Sequence, residues 1–224
     1  MTALLTLATL AATAYQYAFA TRPEGQQSWT GSSVKTAATA ALAAYGLATG
    51  APGLITLGLA LGALGDFALS RPGKTAFLAG MGAFAGGHLA YALAFWQRGA
   101  ELGGPAFGPG QIAALALLAL LLISTEFWLA PRTGALRWPV RGYGLVIGAM
   151  AMTVILLPAN GGDTILGLGA ALFLLSDTLL ALRLFVVTAP MRQRALSLAV
   201  WPSYWLGQSL ILIGAVLYWD FPKG

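Results

Sequence analysis

Among the seven Asp and Glu residues of the chain, three stand in stretches that are otherwise apolar. Asp66 lies in Leu64-Gly65-Asp66-Phe67, Asp177 closes Phe173-Leu174-Leu175-Ser176-Asp177, and Glu126 falls near the end of the apolar segment 110–130. An ionisable group held in hydrocarbon costs several kcal/mol by most scales, so each is a functional candidate by default. Two carboxyls sharing a low-dielectric pocket can divide their roles, one keeping its proton and the other ionised, which is the equipment of acid–base catalysis. Lys35, His88, Tyr91, Tyr143, Ser176, Tyr204 and Gln208 are the polar residues of neighbouring apolar segments that could serve such a pair.

Every one of these has a structural alternative. Asp66 and Asp177 are open to capping by serine, backbone or lysine, and Glu126 to snorkelling or to pairing with Arg132 or Arg137. His88 suits a hydrogen-bonded helix–helix contact, and Lys35 an anchor at the membrane surface. Tyr143 and Tyr204 fit an interfacial belt, together with the tryptophans at 29, 96, 128, 138, 201 and 219. Other chemistries are excluded outright. With no cysteine there is no disulfide, thiolate metal site or cysteine nucleophile, and with a single histidine no multi-histidine zinc site. No metal or organic cofactor is expected.

The elements that must position these groups follow from composition. Of 224 residues 58% are hydrophobic and 8% charged, with a mean hydropathy of +0.77, against about 45–50% and about 25% in soluble domains. Eight spans of about 20 residues would use about 160 residues, leaving short loops and no soluble domain. The apolar segments run 2–20, 34–49, 53–69, 76–96, 110–130, 142–158, 164–186 and 198–219, broken at Pro/Gly-bearing polar stretches. The expectation is a single all-α domain over residues 1–224, a polytopic membrane protein with eight transmembrane helices in one bundle. Gly58-x-x-x-Gly62 and Gly82-x-x-x-Gly86 predict close helix–helix contacts. Ala18-Phe19-Ala20 resembles a signal-peptidase site but lacks a positive region before it, so the first segment reads as a retained helix.

Charge placement predicts orientation. Ten of the twelve Lys and Arg fall in or beside alternate loops: Arg22, Lys35, Arg71, Lys74, Arg132, Arg137, Arg141, Arg183, Arg192 and Arg194. Arg98 and Lys223 lie on the other side. Positive charge favours the cytoplasmic face, which puts both termini on the non-cytoplasmic side. Lys35, Asp66, Asp177, Tyr143, Tyr204 and Gln208 then fall at similar or slightly greater depth in the cytoplasmic half, with His88 near mid-membrane. Polar groups from several helices at one depth predict one pocket opening toward the cytoplasm. The net charge of +5 is read as topology and lipid contact rather than nucleic-acid binding.

Two motifs make the residues familiar. Gly65-Asp66-Phe67-Ala68-Leu69, the Phe77–Phe84 segment and His88-Leu89-Ala90-Tyr91 resemble the YhhN family signature of G-D-x-x-L, a phenylalanine–glycine stretch and H-x-x-Y. Gly169-Ala170-Ala171-Leu172-Phe173-Leu174-Leu175-Ser176-Asp177-Thr178-Leu179-Leu180-Ala181 is similar to the family's G-A-x-L-F-x-x-S-D-x-x-L-A. Smaller echoes are Val34-Lys35, Val140-x-x-Tyr143 with Met150, and Tyr204-x-x-x-Gln208. The chain departs from the pattern at Thr36, where proline is common, and at Gly207, where the family usually has alanine.

The resemblance implies an eight-helix lysoplasmalogenase that cleaves the vinyl ether of a lysoplasmalogen to a fatty aldehyde and glycerophosphoethanolamine or glycerophosphocholine. It implies Asp66 and Asp177 as the catalytic pair. Vinyl-ether hydrolysis needs a carboxylic acid to protonate the β-carbon and a carboxylate to stabilise the oxocarbenium ion or activate water, as in glycosidases. Lys35, with Arg71 and Lys74, would hold the phosphate; His88, Tyr91, Tyr143, Ser176, Tyr204 and Gln208 would line the substrate site, positioning water and the glycerol hydroxyl or tuning the acids. The expected partners are a lysophospholipid substrate and the bilayer, with no nucleic acid and no obligate protein partner. The expected location is a bacterial inner membrane. The alternatives are a hydrolase of another lysolipid and a proton-coupled lysolipid transporter, the latter disfavoured by the lack of inverted repeats.

Overall fold

The computed structural model describes residues 2–220, so Lys223, counted above for orientation, lies outside the described residues. Among them the regular structure is helical: α1 (Thr2–Ala18), a short α2 (Pro23–Gln27), α3 (Trp29–Thr49), α4 (Gly53–Leu69), α5 (Lys74–Glu101), α6 (Pro109–Trp128), α7 (Arg137–Ile155), α8 (Asp163–Ala181) and α9 (Pro190–Asp220). Two 3₁₀ turns, Ala130–Arg132 and Gly134–Leu136, join α6 to α7, and a π-helical turn, Leu182–Val186, prolongs α8.

Local chemistry sets the boundaries. The Ser28 hydroxyl accepts from the Gly31 amide at 2.9 Å and starts α3. Gly50 ends it with φ of 73°, a left-handed conformation that lets the Ala51 amide reach the Gly46 carbonyl at 2.9 Å. Pro109 opens α6 at a position whose amide has no helical partner anyway.

Among the described residues five helical segments are long and apolar enough to cross a membrane: Lys74–Glu101, Pro109–Arg132, Gly134–Ile155, Asp163–Val186 and Pro190–Asp220. Helix α4 is apolar but 17 residues long, about 25 Å against a hydrocarbon core of about 30 Å. These helices support a polytopic integral membrane protein.

The α8–α9 hairpin has the most extensive contact, followed by α4–α5, α3–α4, α1–α3 and α5–α7. Small residues permit this closeness. A Cβ on Gly169 would stand 2.7 Å from the Ile211 amide, and one on Gly207 would stand 2.9 Å from the Gly169 carbonyl. On α4, Gly58 yields its side-chain space to the Tyr91 ring. The second expected glycine contact is corrected: Gly82 meets nothing within 4 Å and Gly86 only Leu61, because Gly80 and Gly87 are the residues that α5 turns toward α4. Helix α6 lies outermost on α7, buries only Leu118 and exposes Leu117, Leu120, Ile123 and Phe127. That leaves its inner face free to form one wall of a cavity.

Candidate active site

A cavity of about 320 Å³ opens among the ends of α1, α3, α4, α5, α6, α7, α8 and α9. Its walls are mostly apolar, including Met81, Phe84, Leu121, Leu122, Ile147 and Leu174. Lys35, Asp66, Tyr143, Ser176, Asp177 and Tyr204 all face it.

Asp66 occupies the last turn of α4 and is fully buried. Its Oδ1 lies 3.0 Å from Lys35 Nζ. Its Oδ2 accepts from Thr39 Oγ1 at 2.7 Å and from the Tyr204 hydroxyl at 2.9 Å. Lys35 and Thr39 are one helical turn apart on α3, which puts both on the face that meets α4. The ammonium also stands over the rings of Trp201 and Tyr15, at 5.7 and 5.9 Å, within cation–π range. Behind Tyr204, Gln208 Nε2 donates to its hydroxyl at 3.3 Å, and Tyr91 donates to Gln208 Oε1 at 2.5 Å. Gln208 and Tyr91 do not line the cavity; they stand one and two hydrogen bonds behind Tyr204.

Asp177 is arranged differently. Its side chain is 15% exposed against 1% for Asp66. The Tyr143 hydroxyl donates to its Oδ2 at 2.5 Å, and His88 Nε2 lies 3.4 Å from the same oxygen. Among the described residues Oδ1 takes no hydrogen bond. His88 is buried behind Tyr143, packed on Phe173 at 4.6 Å between ring centres, and does not line the cavity. Ser176 donates to the Val200 carbonyl at 3.0 Å and ties α8 to α9 beside Asp177.

Several expectations change here. Glu126 pairs with Arg141, not Arg132 or Arg137: Arg141 Nε donates to its two oxygens at 2.9 and 3.1 Å. The 3₁₀ turns carry Arg132 back to the Trp128 carbonyl, while α7 brings Arg141 alongside α6. Arg71 is not a cavity residue. It donates to the Gln27 and Ser28 carbonyls at 2.8 and 3.0 Å and stacks on Trp29, and Lys74 does not line the cavity either. Trp201 is no surface-belt residue, being 4% exposed with Nε1 donating to the Ala12 carbonyl at 3.0 Å.

Thr39, Tyr15 and Arg183 were missed by reading the sequence. The spacing of Thr39 from Lys35 was a usable signal. Arg183, on the π-helical turn, faces the cavity and donates from Nη2 to Gln26 Oε1 at 2.7 Å. Among the described residues it has no carboxylate within ion-pair distance. No group of three His, Asp or Glu residues that could hold a metal ion occurs among the described residues.

The YhhN family model matches residues 30–215, a range that holds both aspartates and all their partners named above except Tyr15. The chain is 33% identical over 193 residues to the lysoplasmalogenase TMEM86B of Sus scrofa, covering 84% of this chain and 76% of that protein. It is 32% identical over 202 residues to lysoplasmalogenase TMEM86B of Homo sapiens, covering 87% and 79%. The corresponding protein of Rattus norvegicus is 31% identical over 199 residues, covering 87% and 76%. No solved structure matches.

Proposed function

The chain belongs to the YhhN family, and from that premise we propose that it is a membrane lysoplasmalogenase working through Asp66 and Asp177. The observation that carries this reading is the unequal pair of carboxyls on one apolar cavity, one ion-paired with Lys35 and the other with an oxygen free to reach a ligand. In this reading eight helices span the membrane, both termini lie on the non-cytoplasmic side, and the cavity opens at the cation-rich cytoplasmic end.

Hydrolysis of a vinyl ether begins with a proton delivered to the β-carbon. The π pair of the C=C bond forms the new C–H bond, leaving an oxocarbenium ion. Water adds to that cation and loses a proton, and the hemiacetal collapses to aldehyde and glycerophosphodiester. Asp177, with its free Oδ1 toward the cavity, is the proton donor. Asp66 is the fixed carboxylate. Its contacts are an ammonium and two hydroxyls, and the hydrogen bonds from Tyr91 through Gln208 and Tyr204 all run toward it. A negative charge so fixed stabilises the developing cation without reorganising during the reaction.

Arg183 is the residue for the lysolipid phosphate. It is a cavity-facing cation with no carboxylate partner among the described residues, and a guanidinium binds phosphate oxygens in bidentate fashion. Lys35 already has Asp66. The apolar wall from α5, α6 and α8 receives the alkenyl chain.

The test is aldehyde release from lysoplasmenyl-ethanolamine by the purified protein in detergent, beside the saturated alkyl-ether analogue. Aldehyde from the vinyl ether alone is the expected result. No aldehyde from well-folded protein would overturn the reading in favour of another lysolipid substrate or of transport.

A further inference from the structure

Tyr143 stands between two groups that both claim its single hydroxyl hydrogen. Its oxygen is 2.5 Å from Asp177 Oδ2 and 3.0 Å from His88 Nε2. The other imidazole nitrogen, Nδ1, lies 3.3 Å from Met150 Sδ. A thioether only accepts, so this contact is a hydrogen bond only with the hydrogen on Nδ1, and Nε2 of a neutral ring in that tautomer is an acceptor. One phenol hydrogen cannot serve Nε2 and Oδ2 together.

With the hydrogen on Nδ1, both contacts are satisfied only with one more proton in the cluster. In one placement Nε2 carries it and donates to the Tyr143 oxygen, while the Tyr143 hydroxyl donates to an ionised Asp177. In the other the Asp177 carboxyl carries it and donates to Tyr143, whose hydroxyl turns to a neutral His88. The two placements have equal charge and interconvert by shifting two hydrogens along the chain. An ionised Asp177 beside a neutral His88 would leave one contact without hydrogen and an uncompensated charge beside the buried imidazole.

We propose that His88, Tyr143 and Asp177 are a proton-holding relay, in which one acid proton is shared across Tyr143 and, between turnovers, rests on His88 whenever Asp177 is ionised. Its place in catalysis rests on the lysoplasmalogenase reading; the proton count does not. A half-turn of the carboxyl brings the proton to the cavity side, Asp177 gives it to the β-carbon as the C=C π pair takes it up, and the Tyr143 hydroxyl swings back to donate to the carboxylate. When water adds to the oxocarbenium ion, the proton it releases refills the cluster, so each cycle consumes one water and no net proton. His88 never touches substrate and acts through Tyr143 as a positioning residue. The other titratable or charged groups among the described residues of the cavity that Tyr143 and Asp177 face are Tyr204 of α9, packed on Phe173, Asp66 of α4 with its partner Lys35 of α3, Tyr15 of α1, and Arg183 of the π-helical turn.

Two measurements test the relay. His88 is the only histidine of the chain, so ¹⁵N NMR of histidine-labelled protein in detergent, purified without a histidine tag, reads this one ring without substrate. The expected spectrum keeps Nδ1 as an N–H at every pH, with Nε2 alone changing. A neutral ring with its hydrogen on Nε2 would overturn the proton count whether or not aldehyde is released.

The second measurement is the pH profile of aldehyde release for wild type, His88→Gln and Tyr143→Phe. Removing His88 removes one of two places for the acid proton, so the alkaline limb should move to lower pH. The loss of rate relative to wild type should therefore grow as pH rises and be smallest on the acid side. Tyr143→Phe should shift the limb the same way, which keeps the test open if His88→Gln does not fold. A uniform loss at every pH with the limb unmoved would reduce His88 to packing and overturn the relay. Absence of aldehyde from wild type would instead strike the functional reading, leaving the NMR result to judge the proton count.

Discussion

The two aspartates face one cavity and are held in opposite ways. Asp66 is 1% exposed, with Lys35 on one oxygen and two hydroxyls on the other. Asp177 is 15% exposed, with Tyr143 and His88 crowded on one oxygen and the second left open. In the proposed mechanism the same side chain is thus immobilised as a charge on α4 and presented as a reagent on α8. Burial decides the difference. A carboxylate taken fully out of water persists only when donors saturate it, whereas one at a cavity wall can leave an oxygen for substrate.

The largest effect should come from removing either carboxyl. Asp66→Asn and Asp177→Asn are each expected to lower aldehyde release by about 10²- to 10⁴-fold, measured as kcat in detergent. Full activity in either variant would end the two-carboxylate mechanism. Stability should separate the two. Asp66→Asn strands the Lys35 ammonium among Tyr15 and Trp201 and should cost about 3–5 kcal/mol, read as a lowered Tm. Asp177→Asn should change stability by about 1 kcal/mol or less. Lys35→Met combined with Asp66→Asn should recover much of the lost Tm, though none of the activity. Equal stability losses for the two Asn variants would erase the distinction.

A middle-sized effect should fall on binding. Arg183→Gln is expected to raise KM for lysoplasmenyl-ethanolamine about tenfold with kcat within about threefold, since it removes contact to a group remote from the breaking bond. A fall in kcat at unchanged KM would place Arg183 with the reacting atoms instead.

How much of this was legible in the sequence follows from what a sequence encodes along a helix. Hydropathy and loop charges give the height of a side chain in the bundle, and Lys35, Asp66, Tyr143, Asp177 and Tyr204, read at similar heights, do meet around one cavity. Height does not give direction around the helix axis. Tyr91 and Gln208 were read as substrate contacts and stand behind Tyr204, because α4 yields at Gly58 and lets the Tyr91 ring sink between helices. Backbone irregularity was also invisible. The π-helical turn after Ala181 brings Arg183 to the cavity, where regular counting had left it a loop cation. The five-helix count for membrane-length segments among the described residues has a plainer origin, since α4 is 17 residues long between Pro52 and Ser70 and α3, at 21 residues, is long enough but not apolar enough.

The smallest expected effect sharpens the same lesson with a second ion pair. Arg141 and Glu126 are geometrically the better couple, with Nε contacting both oxygens at 2.9 and 3.1 Å, where Lys35 reaches Asp66 through one contact at 3.0 Å. Yet Arg141 and Glu126 are 26% and 41% exposed, against 17% and 1% for Lys35 and Asp66. Either charge of the exposed pair can find other polar partners when its mate is lost, so good geometry contributes little net stability. Glu126→Gln should therefore leave Tm and aldehyde release at wild-type values, measured at low and high salt alongside Asp66→Asn. A Tm loss as large as that of Asp66→Asn would mean that geometry, not burial, governs ion pairs in this bundle. The contrast drawn between the two aspartates would then need a different cause.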